Sequence, residues 1–398
     1  MVTAGGWREV RVRDVIQTAG VSSASFYKQF ANADECLASA LDDAIGELLQ
    51  GFEAEAGSET DWRDSVRGTL GGLTRRLASN QEAARVALID SFAAGPSARK
   101  RAGILAARLE EILSRCFSRS PARVPVPRHL IAGMTGGILR VVRTTVAADR
   151  AGELPRLAEP LADWVLSFPS HELVTLPAVD AAHAAGDAPS NLLSRLGGNP
   201  ADDRRRLLQT VMRLASRDGF DALTGPGVRR DAGVSKRQFD QIFHGIEDCF
   251  LNGIDAVVES TATEANRSLV VENWTRRTHR SIAVLCAEAA DNRQLARVTF
   301  LEIFAPGRDG LLQREKIIGS AATALRRTIP LEERPSHVVA EASVAAAWHV
   351  AQADVGAGRT KSLPEIAPLL SYLVMAPIVG VSPAVSAIRA EAAEGASS

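Results

Sequence analysis

At 398 residues the chain is long enough for two or three domains, and its 46% hydrophobic content supplies more than one packed core, which excludes a disordered or fibrous chain. Forty-six Lys and Arg stand against 47 Asp and Glu, a net charge of −1, so a polybasic binder is excluded while a local basic surface is not. Only 5% of residues are aromatic and 2 are Tyr, which argues against a surface that grips single strands by stacking bases.

The opening stretch, Met1 to Glu9, has no apolar run after a basic region, so no signal peptide is expected. Cys36, Cys116, Cys249 and Cys286 form no CxxC pair, which excludes a zinc finger and a disulfide framework and suits a reducing cytoplasm. Arg13 to Thr18 reads as a short helix ending at Ala19-Gly20, where glycine supplies the positive φ of a tight turn. Val21 is expected to plug that turn, and Ser22 to cap the next helix. In that helix Phe26 and Phe30 stand four apart and face a core, which leaves Ser23, Ser25, Tyr27 and Lys28 outward.

Helical spacing continues in Leu37, Leu41, Ala44, Leu48 and in Leu105, Leu109, Ile112, Leu113. Ser170 to Pro200, rich in Ala, Pro, Gly and Asp, reads as a linker. Asp203 to Asp218 is a helix with Leu207, Leu208, Val211 and Leu214 on one face, and Gly225-Pro-Gly227 opens the next one. Ile366 to Ile388 carries no formal charge over 23 residues, enough to span a bilayer. Pro368, Pro377 and Pro383 would break a helix in lipid, so a buried or interface helix with an irregular tail is expected, and no membrane partner. Ala390 to Ser398 reads as a frayed end. The fold class is all-α.

The chain repeats itself. Ala19-Gly-Val-Ser-Ser-Ala-Ser-Phe-Tyr-Lys-Gln-Phe30 answers Ala232-Gly-Val-Ser-Lys-Arg-Gln-Phe-Asp-Gln-Ile-Phe243 at an offset of 213, which also pairs Cys36 with Cys249 and Asp42 with Asp255. Trp62 answers Trp274 and Phe92-Ala answers Phe304-Ala at 212, and Leu154-Pro155 answers Leu363-Pro364 at 209. So slow a drift means two copies of one unit with small loop changes. The expected organisation is a head at 1–45, a helical domain at 46–170, a linker at 171–200, a second head at 201–257, a second helical domain at 258–380 and a tail at 381–398.

A helix, a glycine turn and a second helix with small polar residues outward can enter a DNA major groove. The run Val12-Arg-Asp-Val-Ile-Gln-Thr-Ala-Gly-Val-Ser-Ser-Ala-Ser-Phe-Tyr-Lys-Gln-Phe30, followed by Asp34-Glu-Cys-Leu37, resembles the DNA-binding signature of the TetR/AcrR family of transcriptional regulators. The resemblance implies two tandem units, each an N-terminal helix-turn-helix head with a C-terminal ligand and dimerisation domain. It implies a one-component regulator, a repressor answering a small-molecule effector, with double-stranded DNA as partner. The family pairs through its last two helices. Gly133, Gly136, Gly137 and Ala345 to Ala347 occupy that position, so either an intrachain pseudo-dimer or a homodimer is expected.

Residues 1–30 carry a net charge of +2 and residues 202–245 a net of +3. Phosphate contacts set register and base contacts carry sequence. Arg11, Arg13, Tyr27 and Lys28 are therefore the phosphate candidates, with Ser22, Ser23 and Ser25 closer to the bases. In the second head the candidates are Lys236, Arg237 and Gln238, because Arg and Gln can pair bidentately with guanine and adenine. If the family pattern carries over, Trp62, Leu70, Leu88 and Phe92 line an effector pocket in the first copy, and Trp274, Ile282, Phe300 and Phe304 in the second. The same residues read equally as plain core.

The chain also departs from the pattern. Only Val2 to Val10 precede the first helix-turn-helix, too few for the family's first helix, so either the first copy lacks that supporting helix or, the favoured expectation, its start is mis-assigned. Asp240 holds the position of Tyr27, where a carboxylate would be repelled by phosphate. Ala33 and Ile246 stand where the family has lysine. These departures keep a rival open, a helical ligand-binding or protein-interaction module with decayed heads. The seven histidines form no HxxxH or HExxH pattern, and no GxxxxGK[ST], GxSxG or strand-linked GxGxxG occurs. No metal, cofactor or enzymatic activity is expected.

Overall fold

The computed structural model describes residues 11–49, 61–120, 126–168, 192–196, 202–267 and 273–395. Every regular element among them is helical, so the protein is all-α. It divides into two compact units, residues 1–166 with 306–312, and residues 167–305 with 313–398.

The first unit opens with α1 (Val12–Ala19), α2 (Ser23–Gln29) and α3 (Ala33–Leu49). Then come α4 (Trp62–Ser79) and α5 (Gln81–Arg85), which runs into a π-helical turn at Val86–Asp90. The unit continues with α6 (Pro96–Ser118), α7 (Arg128–Ala147), a 3₁₀ turn at Ala151–Leu157 and α8 (Ala158–Leu166). Its core is built from residues three and four apart: Leu41, Ile45 and Leu48 of α3, Leu70, Leu73 and Leu77 of α4, and Leu105, Leu109, Ile112 and Leu113 of α6, all buried.

The second unit holds α9 (Leu192–Arg195), α10 (Asp203–Asp218), α11 (Gly225–Ala232), α12 (Lys236–Ile242) and α13 (Ile246–Arg267). Next are α14 (Trp274–Asp291), α15 (Arg293–Phe300) and a 3₁₀ turn at Glu302–Phe304. The chain finishes with α16 (Arg308–Thr328), whose first turn groups with the first unit, then α17 (His337–Gly356), α18 (Leu363–Val379) and α19 (Val381–Gly395). Helix starts recur at the offsets of the sequence repeat: 213 for α1, α2 and α3 against α11, α12 and α13, 212 for α4, α5 and α6 against α14, α15 and α16, and 209 for α7 against α17. Even the caps recur. Asp61 accepts the Arg63 N–H and Asn273 the Thr275 N–H, each at the start of a tryptophan-led helix.

Three expectations are corrected. Residues 381–398 are not a plain tail, because α19 occupies Val381–Gly395 and buries Ala384, Val385 and Ile388. Most of the expected linker at 171–200 lies outside the described residues, but Leu192–Arg195 is a helical turn with Leu192 and Leu196 buried. The buried helix expected from residue 366 onward is present as α18, with Pro368 and Pro377 inside it. Each removes one backbone bond, and the burial of Leu370, Leu373 and Met375 around them offsets that loss. Finally, residues 306–312, expected within the second helical domain, belong to the first unit. There the Arg308 guanidinium acts on the buried carboxyl of Asp90.

Among the described residues two helices are long and apolar enough to cross a membrane, Arg128–Ala147 and Thr360–Val379. Their most apolar windows are 83% and 61% buried within the protein.

Candidate nucleic-acid interface

In the first head, Gly20 ends α1 at φ +67° and its neighbour Val21 donates its N–H back to the Ile16 carbonyl at 3.2 Å. An alanine at Gly20 would pay roughly 1–2 kcal/mol for that left-handed conformation. Ser22 caps α2, its hydroxyl accepting the Ser25 N–H at 3.1 Å while the two hydroxyls lie 2.9 Å apart. Ser22 and Ser25 are thus partly occupied in holding the helix start. Phe26 is buried and its ring meets Phe30 at 5.5 Å, but Phe30 is only half-buried. The outward row is Ser23, Tyr27 and Lys28, all exposed, with Arg11 and Arg13 at the entry to α1. Tyr27 is 59% exposed and presents its ring edge to Phe26 at 5.4 Å. Arg13 lies 3.7 Å from Asp14, and Lys28 has no ion-pair partner among the described residues.

Val21 is 42% exposed and does not plug the turn. The counterpart Val234 is 6% exposed. The difference lies in what covers the pair of helices. In the second head α10 packs on α11 and α13, and Val228, Ala232 and Val234 are buried. No residue of α1 is buried, and the stretch Val2 to Val10 lies outside the described residues.

The second head repeats the turn, with Gly233 at φ +64° and Ser235 capping α12. Its rings are better seated: Phe239 and Phe243 are both buried, 5.9 Å apart, with the Arg204 guanidinium 5.2 Å above Phe243. Its outward side chains, however, are engaged. Gln238 completes a capping box, its Oε1 accepting the Ser235 N–H at 3.0 Å, and its Nε2 donates to Asp203 of α10 at 2.7 Å. Lys236 lies 3.5 Å from Asp240 one turn on. Of the three expected readers only Arg237 is exposed without a side-chain partner among the described residues; Arg229 is likewise unpartnered.

The surrounding cations are offset in the same way. Arg217 binds Asp218 at 2.7 Å, and its hydrogen bond holds that carboxyl below its ordinary range. Arg213 and Arg230 share Asp231 at 3.6 and 3.3 Å, and Arg206 pairs with Asp203. These pairs largely cancel, so the net +3 of this segment rests mainly on the cations outside them, Arg229 and Arg237 among them.

The expected pocket residues are largely core. Trp62, Leu70, Leu88, Trp274 and Phe304 are buried, while Phe92, Ile282 and Phe300 are half-buried. Trp62 packs on Phe117 at 5.5 Å, Phe92 lies under the Arg143 guanidinium at 5.2 Å, and Phe300 meets Trp348 at 4.6 Å. The Trp274 indole N–H donates to Glu333 at 2.9 Å. Buried polar atoms without a hydrogen-bond partner among the described residues include Trp62 Nε1 and Thr135 Oγ1 in the first unit, and Thr299 Oγ1 and Trp348 Nε1 in the second.

The cysteines are free. Burial pushes the Cys249 thiol up to about 12, with the Asp248 charge adding to it, whereas Cys36 is half-buried and raised by burial alone.

One pair was missed from the sequence although the repeat carried its signal. Arg85 and Asp90 answer Arg297 and Glu302 at the offset of 212. In the first unit Arg85 turns to Asp149 at 2.9 Å and stays 3.9 Å from Asp90. In the second, Arg297 binds Glu302 at 2.5 Å, and the other oxygen of Glu302 accepts the Phe220 N–H at 2.7 Å.

Compared with known proteins, the chain matches no family model and no curated sequence.

Proposed function

We propose that the chain is a TetR-like transcriptional regulator carrying two such units in tandem, a ligand-responsive repressor that reads a two-part operator on double-stranded DNA. The observation that carries this reading is a short capped helix, α2, set off by a left-handed glycine and anchored by buried Phe26, with Ser23, Tyr27 and Lys28 all exposed. Small polar residues let such a helix approach base edges, while Lys28, Arg11, Arg13 and the Tyr27 hydroxyl can meet phosphates. The effector would act by population shift, binding the helical core and favouring one posture of the heads. The half-sites would differ, because Ser22-Ser-Ala-Ser25 and Ser235-Lys-Arg-Gln238 present different chemistry.

The test is a gel-shift titration of the full chain against genomic fragments. Sequence-selective retention that weakens as salt rises supports the reading. Absence of retention at low salt sinks it. Sedimentation of the same sample distinguishes a chain that is its own pseudo-dimer from a homodimer.

A second reading is favoured for the second head alone. With Gln238 bound to Ser235 and Asp203, and Lys236 beside Asp240, that head is a packed module whose outward face is internally compensated. On this reading it binds duplex DNA through Arg237 and Arg229 only, or serves as a protein-interaction or ligand-linked module.

A further inference from the structure

The head of the second unit is joined to its helical core at two polar points that no sequence motif announces. At the first, the 3₁₀ turn after α15 places Glu302 with a side chain only 13% exposed. One oxygen accepts the backbone N–H of Phe220, directly after the end of α10, at 2.7 Å, and the other meets Arg297 at 2.5 Å. The site is shaped for it. Gly219 sits at φ +84°, and a Cβ there would stand 3.6 Å from the carboxylate. The Phe220 ring lies against buried Phe250 at 4.7 Å.

At the second point, α9 lies across α10 and α13. Arg195 reaches Glu264 of α13 at 3.3 Å and Glu288 of α14 at 2.7 Å, while Arg205 of α10 donates to the Ser194 carbonyl at 2.6 Å. Leu192 and Leu196 are buried beneath these contacts.

We propose that Glu302 and Arg195 are positioning residues of a two-point latch that fixes the second head, residues 203–242, on its core. Residues 302 and 297 flank the last turn of α15, which carries Phe300 packed on Trp348. A displacement of that turn therefore carries Glu302 away from the Phe220 amide and unties the head. The latch stands on the contacts alone. Its role in regulation rests on the reading of the head as a DNA-binding element.

Hydrogen–deuterium exchange of the full chain tests it. Glu302→Ala removes a charge-assisted hydrogen bond and should speed exchange at the Phe220 amide and across 220–242 by about tenfold or more, with α17 unchanged. Glu302→Gln keeps an acceptor for Phe220 but loses the ion pair, so its acceleration should be smaller. Arg195→Ala should act chiefly on α10. Unchanged exchange over 203–242 in Glu302→Ala overturns the latch, as does an equal acceleration of 203–242 and 337–356 in both Glu302 variants. A gel shift on the same proteins separates the two ideas: loosening by exchange with no DNA retained by any variant leaves the latch standing and removes the regulator.

Discussion

The two heads share a backbone plan and differ in what surrounds it. In the first, Val21 is exposed, Phe30 is half-buried, and Lys28 projects without an ion-pair partner among the described residues. In the second, Val234, Phe239 and Phe243 are buried, with Arg204 of α10 over the Phe243 ring, and the outward residues Lys236 and Gln238 are turned to neighbours on their own unit. The same Gly-Val-Ser turn thus supports one head that offers its side chains and one that spends them on itself. The local geometry of the turn is the same in both, while side chains from other helices decide which of its outward groups stay unoccupied.

The largest expected separation between the heads is in stability. Phe243→Ala should cost the second unit about 3–5 kcal/mol, as truncation of a buried ring does. Phe30→Ala should cost the first unit markedly less, and denaturant unfolding followed by hydrogen exchange resolves the two. Val234→Ala should lose about 1.5 kcal/mol at roughly 0.8 kcal/mol per buried carbon. Val21→Ala should stay within about 0.5 kcal/mol, as surface changes do. Equal losses at Val21 and Val234 would erase the contrast.

If the chain binds duplex DNA as proposed, Lys28→Ala should lower the salt slope of binding by about one unit. Lys236→Ala should change it less, since Asp240 already offsets that charge, and Asp240→Asn should tighten binding. If Lys236→Ala matches Lys28→Ala, the second head is no more self-occupied than the first.

The smallest effect concerns the repeated Arg–acid pair. Burial raises the carboxyl of Asp90, while Arg85 and Arg308 oppose the rise. Its native pKa therefore lies above its unfolded one. The stability it lends is complete below about pH 4 and is lost as pH rises through the native value. Asp90→Asn should flatten that fall in a pH series of melts, and an unchanged pH profile would show that the carboxyl is already relaxed.

Much of this was legible in the residues. Ala19-Gly20-Val21-Ser22 announced a left-handed stop and a cap, because glycine and serine act there through the local backbone. The offset of 213 in the sequence matches the starts of α11 and α12 to those of α1 and α2. The exposure of Val21 was not legible, since burial at that position depends on a covering helix rather than on the turn. Gln238 suits a base contact, but Ser235-Lys-Arg-Gln238 also spells a capping box, and the local pairing is the one formed. Leu192, Leu193 and Leu196 were hidden by the Pro- and Gly-rich composition around them. The link from Glu302 to Phe220 joins residues 82 apart through a backbone amide, which no side-chain pattern can report.

The seven residues Pro306 to Leu312 carry one last implication. They are encoded in the second copy yet are structurally part of the first, where Arg308 acts on Asp90. A polypeptide severed at residue 166 would forfeit that cation and the rest of the short segment that completes its own unit.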